Sequence, residues 1–388
     1  SGQFLQSDGS GGTTWAAASG GGGLSSDSQQ NTVGGTNAGD SFSGTNAFAN
    51  TLIGYDAGTA VTSGDYNTAF GQKALYSTTT ASYNVAIGPS ALYENETGSQ
   101  NMAMGDQAGY NVTGSRNVMI GHQASTGGSA GATAINDVIA IGYRAGYVNQ
   151  SGSDSVFIGR EAGGNVTTGT ANCYIGYKCG DASTTSGFNT AMGYQALSAL
   201  TTGSQHVAIG RNASKTITTG NYSVAVGDNA LLNATYGGFN TAVGNSSLYT
   251  ATSGEINVAV GMSSLDTLTS GYRNVAVGYK SGDGITTGFK NTLLGEYAGH
   301  NATTGSRNII LGSYATASSA TVSNEVTIGD TNITKFRIPG IDVVLKDNGG
   351  TPTQGHVLTV DANGEAGFAA ASGGGGVSSD AQENTVGG

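Results

Sequence analysis

The sequence predicts an all-β fold, a β-solenoid or β-roll of about 17 coils with a 17-residue repeat. Three observations predict it. A block close to Asn-Val-Ala-Ile-Gly returns along most of the chain; glycine supplies 67 of 388 residues; proline (3 residues) and charge (10%) are scarce. Ordinary soluble chains carry about 7% glycine and about 25% charged residues. The glycine has no three-residue period, which excludes collagen. Regularly placed apolar residues, 37% of the chain, exclude ordinary disorder.

The coils come first. Aligned on its last glycine, the block recurs 17 times between Gly54 and Gly329, including Gly71, Gly88, Gly105, Gly261 and Gly278. Of the 16 gaps, 14 are 17 residues long, one is 16 and one is 21. The long gap holds an insertion rich in glycine, serine and alanine around Ser125–Ala134. It is expected to bulge from one coil without breaking the stack.

Columns counted from that glycine explain each part of a coil. Position −4 is asparagine in 12 of 17 copies, among them Asn67, Asn84, Asn101, Asn257 and Asn274. Position −2 is alanine in 10 copies, among them Ala69, Ala86 and Ala276, and position −1 is always apolar. Position +3 is alanine in 12 copies. The β-branched residues favour a strand, and glycine supplies the turn. A helical repeat would need glycine and asparagine inside every helix. At ~4.8 Å per coil, 17 coils make a rod roughly 80 Å long. Stacked asparagines are expected to bond to one another and to cap turn backbone groups.

The strand is apolar on both faces, with the larger residues at −3 and −1 and alanine at −2. The expectation is that one face fills the coil core. The small alanine face is then left for a neighbouring copy to cover, because a long exposed apolar strip marks an interface.

The remaining elements follow from a second, longer repeat. Residues 1–35 align with 354–388 at a constant offset of 353, with 21 of 35 identical. This predicts one period of a longer tandem protein. The boundaries are a connector with a Gly-rich hinge (1–23), a lead-in (24–49), the β-roll repeats (50–330), a strand-turn-strand connector (331–353) and the start of the next unit (354–388). Within the second connector, Thr334–Lys346 reads as strand, Pro-Gly turn, strand.

The blocks at Asn84–Gly88, Asn257–Gly261 and Asn274–Gly278, each followed by alanine or serine three residues on, resemble the left-handed β-roll head of trimeric autotransporter adhesins. The family's repeat is shorter than this one. Val326–Lys346 and Gly355–Ala371 resemble connector segments of phage tail-fibre proteins. Both resemblances imply an elongated homotrimeric extracellular fibre, on a cell surface or a virion, serving reach and attachment. The implied partners are further copies of the chain and a host-surface glycan or protein receptor.

Other chemistry finds little footing. A net charge of −11 and a pI near 4.6 argue against a nucleic-acid partner. No apolar run is long enough to span a membrane, and the opening Ser1-Gly2-Gln3-Phe4, without a basic region or an apolar run, is not expected to be a signal peptide. No cofactor, metal or catalytic residue is expected. His122, His206, His300 and His356 lack metal-ligand spacing and read as surface or turn residues. Cys173 and Cys179 read as small apolar fillers, with a disulfide as the alternative. Gly127–Gly131 spells Gly-x-Ser-x-Gly without the strand and helix a nucleophile elbow needs. The carboxylates form no recurring pair. Tyrosines recur at +1 (Tyr55, Tyr143, Tyr177, Tyr194, Tyr279) and at +5 (Tyr76, Tyr93, Tyr110, Tyr147, Tyr249). They read first as inter-coil stacking and second as a sugar platform. The competing function is a single-chain solenoid that binds glycan or ice. Pairs such as Thr201-Thr202 suggest the ice version, but adjacent strand residues face opposite ways and give no flat array.

Overall fold

The computed structural model describes residues 24–42, 46–127 and 133–338, together with strands at 3–7, 13–17, 343–346, 356–360, 365–370, 378–379 and 385–386. It divides into two compact units, Ser1–Thr327 and Ile328–Gly388.

The first unit is a parallel β-solenoid. Each coil contributes one three-residue strand, and each strand pairs in register with the equivalent strand of the next coil. Val258↔Val275, Ala259↔Ala276 and Val260↔Val277 are representative. The ladder starts at Thr32–Gly34 and passes without a break through the long gap, where Val118 pairs with Ile139. The insertion therefore leaves the stack intact; its residues 128–132 lie outside the described residues. The lead-in over 24–49 is itself a coil at its end. Asn31-Thr32-Val33-Gly34-Gly35 occupies the repeat columns, and an antiparallel hairpin (Ser25↔Val33) caps it. The sequence alignment missed this coil because Gly34 stands where every other copy is apolar.

The turn glycine is required by backbone geometry. Gly71 has φ of +140° and Gly88 +128°, a region side chains avoid. A Cβ on Gly88 would stand 2.6 Å from the Gly105 carbonyl oxygen of the next coil. Stacking at strand spacing leaves no room there for any side chain.

The asparagine column is a buried clamp. The Asn257 backbone N–H donates to Asn240 Oδ1 (2.9 Å), and the Asn274 N–H donates in turn to Asn257 Oδ1 (2.9 Å). Asn257 Nδ2 donates to the Gly271 carbonyl (3.0 Å), the carbonyl that opens the next coil's turn. Asn67, Asn84, Asn101 and Asn274 repeat the acceptor role, and all are buried. Only a side chain with one acceptor and one donor in this geometry satisfies both groups. A parallel ladder of threonine hydroxyls supports the far turn: Thr201 Oγ1 donates to the Thr218 carbonyl at 2.9 Å and Thr218 Oγ1 to the Thr235 carbonyl at 3.0 Å.

Two expectations are corrected here. The alanine face does not look outward: Ala69, Ala86 and Ala276 are fully buried inside the coil. The larger residues at −3 and −1 form the outer face instead. The coil interior is too thin for two large facing side chains, and it already holds the residues at +3, +4 and +7. The second correction is His206, which is no surface residue. It stands in the asparagine column, 1% exposed. Its Nε2 donates to the Gly220 carbonyl (2.6 Å), and its Nδ1 accepts the Ser223 N–H (3.4 Å), so it imitates asparagine.

Core volume is conserved between two columns. Where −2 is alanine, +4 is often leucine, as in Ala69 with Leu75, Ala225 with Leu231 and Ala259 with Leu265. In four of the six coils where −2 is a bulky apolar residue, +4 is glycine: Leu52 with Gly58, Phe157 with Gly163, Tyr174 with Gly180 and Leu293 with Gly299; Met119 and Ile310 go with Ser125 and Thr316. A Cβ on Gly180 would lie 2.5 Å from the Tyr174 ring, and one on Gly58 2.7 Å from Leu52 Cδ1.

The second unit carries a sheet in the order Lys335–Ile338, Val343–Lys346, Glu365–Ala370, His356–Val360. The first two strands are antiparallel (Lys335↔Lys346), giving the expected strand pair. The Pro339-Gly340 turn between them lies outside the described residues. The 353-residue repeat is visible in backbone pairing. Gln3↔Ala17 at one end matches His356↔Ala370 at the other, and Ser25↔Val33 matches Ser378↔Val386. Both copies of the repeated sequence therefore choose the same hairpins.

Candidate functional site

The residues singled out from the repeat are structural. Asn67, Asn84, Asn101, Asn257 and Asn274 clamp coil to coil; Gly71, Gly88, Gly105, Gly261 and Gly278 turn the chain at positive φ; Ala69, Ala86 and Ala276 fill the interior. The surface that a partner meets lies in the columns between them.

Alternation along the strand sends −3 and −1 outward in every coil. Position −1 is apolar in all 17 copies, and no charged residue occurs at −3 or −1. Phe70 is 58% exposed, Met192 47% and Leu294 52%, with Met104, Ile209, Val275 and Ile309 also exposed. Two such columns are about 7 Å apart along a strand and run roughly 80 Å along the stack, about 800 Å² with side-chain width. Monomeric proteins rarely expose a contiguous apolar patch beyond roughly 300–600 Å².

Positions −5 and +1 flank the strip. Their side chains mix aromatic and charged types: Tyr66 and Tyr83 stack at 5.1 Å, as do Tyr177 and Tyr194, and Tyr222 on Phe239. Arg116 pairs with Asp137 (2.7 Å) and Arg211 with Asp228 (2.7 Å) between successive coils. These pairs are exposed and add little stability.

Both cysteines are free thiols. Cys179 is buried as a core filler, and burial pushes its thiol pKa up to about 12. Cys173 belongs to the outward strip, on the opposite side of the strand. His122 lies 3.3 Å from Asp106 and stacks on Tyr143, and His300 is exposed; His356 opens the strand His356–Val360 of the second unit. Among the described residues no group of His, Cys, Asp and Glu is placed to hold a metal ion. No helix there is long and apolar enough to cross a membrane. Of the Gly-x-Ser-x-Gly string, only Gly127 is described.

Compared with known proteins, the chain matches no family model, no curated protein and no solved structure.

Proposed function

We propose that this chain is the stiff shaft of an extracellular homotrimeric fibre, an adhesin-like filament or a phage tail fibre, serving reach and attachment. The observation that carries the reading is the outward strip at −3 and −1, apolar in every coil at −1 and without a charged residue at −3. Its roughly 800 Å² equals one partner's share of a standard interface. The flanking columns support a parallel, in-register copy, in which −5 of one chain meets +1 of the next. Within single coils those positions hold opposite charges in Asp154/Arg160 and Lys290/Glu296, aromatics in Phe188/Tyr194, apolar residues in Ile256/Met262, and like formal charges in none. Three chains is the number that the adhesin-head resemblance implies. Tandem units lengthen such a rod without new chemistry.

Native mass by light scattering tests the reading. Three times 38.4 kDa is expected. Val243→Lys with Val260→Lys places two charges on the outward strip without touching the core, and should yield a folded monomer. A monomeric parent chain would overturn the fibre and favour the single-chain binding solenoid. The ice version of that alternative is weakened because the Thr201 and Thr218 hydroxyls are already committed to carbonyls of the next coil.

A further inference from the structure

The +5 column is mixed: five coils place tyrosine there (Tyr76, Tyr93, Tyr110, Tyr147 and Tyr249), and others place Thr126, Gly164, Asp181 or Leu232. Tyr76, Tyr93 and Tyr110 occupy it in successive coils, and their rings stack at 4.8 Å with interplanar angles of 3° and 4°. Ring faces in this column therefore point along the stack. Tyr147 takes the same position further on. The next coil places Gly164 there, and the one after places Asp181. Tyr147 thus has no side chain to stack on from the following coil, and a shallow pocket opens beside it.

Nothing in the backbone asks for glycine at this point. Gly164 lacks the positive φ of the turn glycines, and a Cβ on it would meet Asp181 Oδ1 at 3.1 Å and the Glu161 carbonyl oxygen at 3.3 Å, contacts that shifts of a few tenths of an ångström relieve. The walls are built from the +2 and +5 columns of three successive coils. Arg144 lies over the Tyr147 ring at 4.7 Å and is drawn toward the preceding coil by donating from Nε to Gln123 Oε1 (2.7 Å). Lys178 Nζ stands 3.1 Å from Glu161 Oε2 and 3.6 Å from Asp181 Oδ2. Asn165 adds an amide at the rim.

The chemistry selects a ligand class. Two cations face two carboxylates, so the lining carries no formal net charge and rewards neither an anion nor a cation. An aromatic face beside convergent donors and acceptors suits a ring with one apolar face and a rim of hydroxyls. We propose that the notch between Tyr147 and Asp181 binds one neutral pyranose unit of a glycan, stacked on Tyr147, with its hydroxyls held by Glu161, Lys178, Asn165 and Asp181. None of these residues belongs to the −3 or −1 columns, so the notch and the apolar strip are separate surfaces. The inference rests on the attachment part of the fibre reading, and would make one shaft unit a weak binding module whose copies add by avidity.

The test uses the whole chain and a panel of neutral oligosaccharides of glucose, galactose, mannose and N-acetylglucosamine, with sialylated and sulfated glycans beside them. At least one neutral glycan is expected to bind. Gly164→Tyr fills the notch with the residue this column carries at Tyr93, so its melting curve should match the parent's. Its affinity should fall at least about tenfold, as should that of Tyr147→Ala. No neutral binding at ~1 mM, binding by charged glycans only, or unchanged binding by Gly164→Tyr overturns the site. The mass measurement judges the fibre separately. A monomer that binds through the notch keeps the site and loses the shaft; a trimer that binds no neutral glycan does the reverse.

Discussion

The exchange of volume between −2 and +4 yields the sharpest prediction, at Leu293 and Gly299. Leu293 is 1% exposed and fills its coil from the strand side. A Cβ on Gly299 would stand 2.6 Å from Leu293 Cδ2, far inside van der Waals contact. Gly299→Leu alone therefore overpacks the coil and should cost about 1–3 kcal/mol. Leu293→Ala alone empties the interior and should cost about 2–5 kcal/mol. Together they rebuild the pairing of Ala259 with Leu265 within the coil, although Ile310 Cδ1 of the next coil, 3.2 Å from a Cβ on Gly299, stands where the Leu265 coil faces Ala276. Backbone strain does not stand in the way, because Gly299 has φ of +67° and Leu265 already sits at +51°. One hole persists on the side of Gly282, where a Cβ would lie 2.5 Å from Leu293 Cδ1. The double variant should be less destabilised than the sum of the singles by about 0.5–3 kcal/mol, the range for residues in direct contact. Stacked coils need not unfold in a single step. The cycle is therefore best read by amide hydrogen exchange in coils 276–312, which reports local opening. Additivity within about 0.3 kcal/mol would refute the idea that the two columns share one volume.

Further predictions concern the clamp, the turn and the histidine. Asn257→Ala leaves the buried Asn274 N–H and Gly271 carbonyl without their partner, and denaturant midpoints should show a loss of roughly 2–5 kcal/mol. Gly88→Ala forces a Cβ against the Gly105 carbonyl at a φ of +128°, so circular dichroism should show a lower melting temperature by several degrees, whereas Gly164→Ala should change it little. Burial holds the His206 pKa below the ordinary histidine value. The folded state favours the neutral ring, so His206 contributes fully above about pH 6.5, and stability drops as pH falls below that value. His206→Asn should remove that part of the acid sensitivity, and parallel melts at pH ~7.5 and ~5 would read the difference.

Much of the fold is legible in the sequence because the physics repeats. A Gly with φ near +130° and an Asn that clamps the next coil recur at one spacing, so each column averages out local noise. The coil at Asn31–Gly35 escaped because Gly34 breaks the apolar −1 column and because Asn31 stands 19 residues before Asn50 instead of 17. His206 escaped because an imidazole supplies the acceptor and donor of an amide without resembling one in sequence. The pocket beside Tyr147 leaves only a faint signal, a glycine following a tyrosine in a mixed column, and its meaning depends on which coils are neighbours.

Sequence alone determined the coil period, the turn glycine, the asparagine clamp and the equivalence of the two chain ends. These are local and periodic properties, set by what one coil needs from the next. Only the tertiary structure decided which face of the strand is inside. Alternation tells that −2 opposes −3 and −1, but both faces are apolar, so the pattern has no sign. The sign comes from space. A thin coil closed by residues at +3, +4 and +7 has room for alanine opposite leucine, or for a bulky residue opposite glycine. The strand's larger side chains therefore have only the outside left to them.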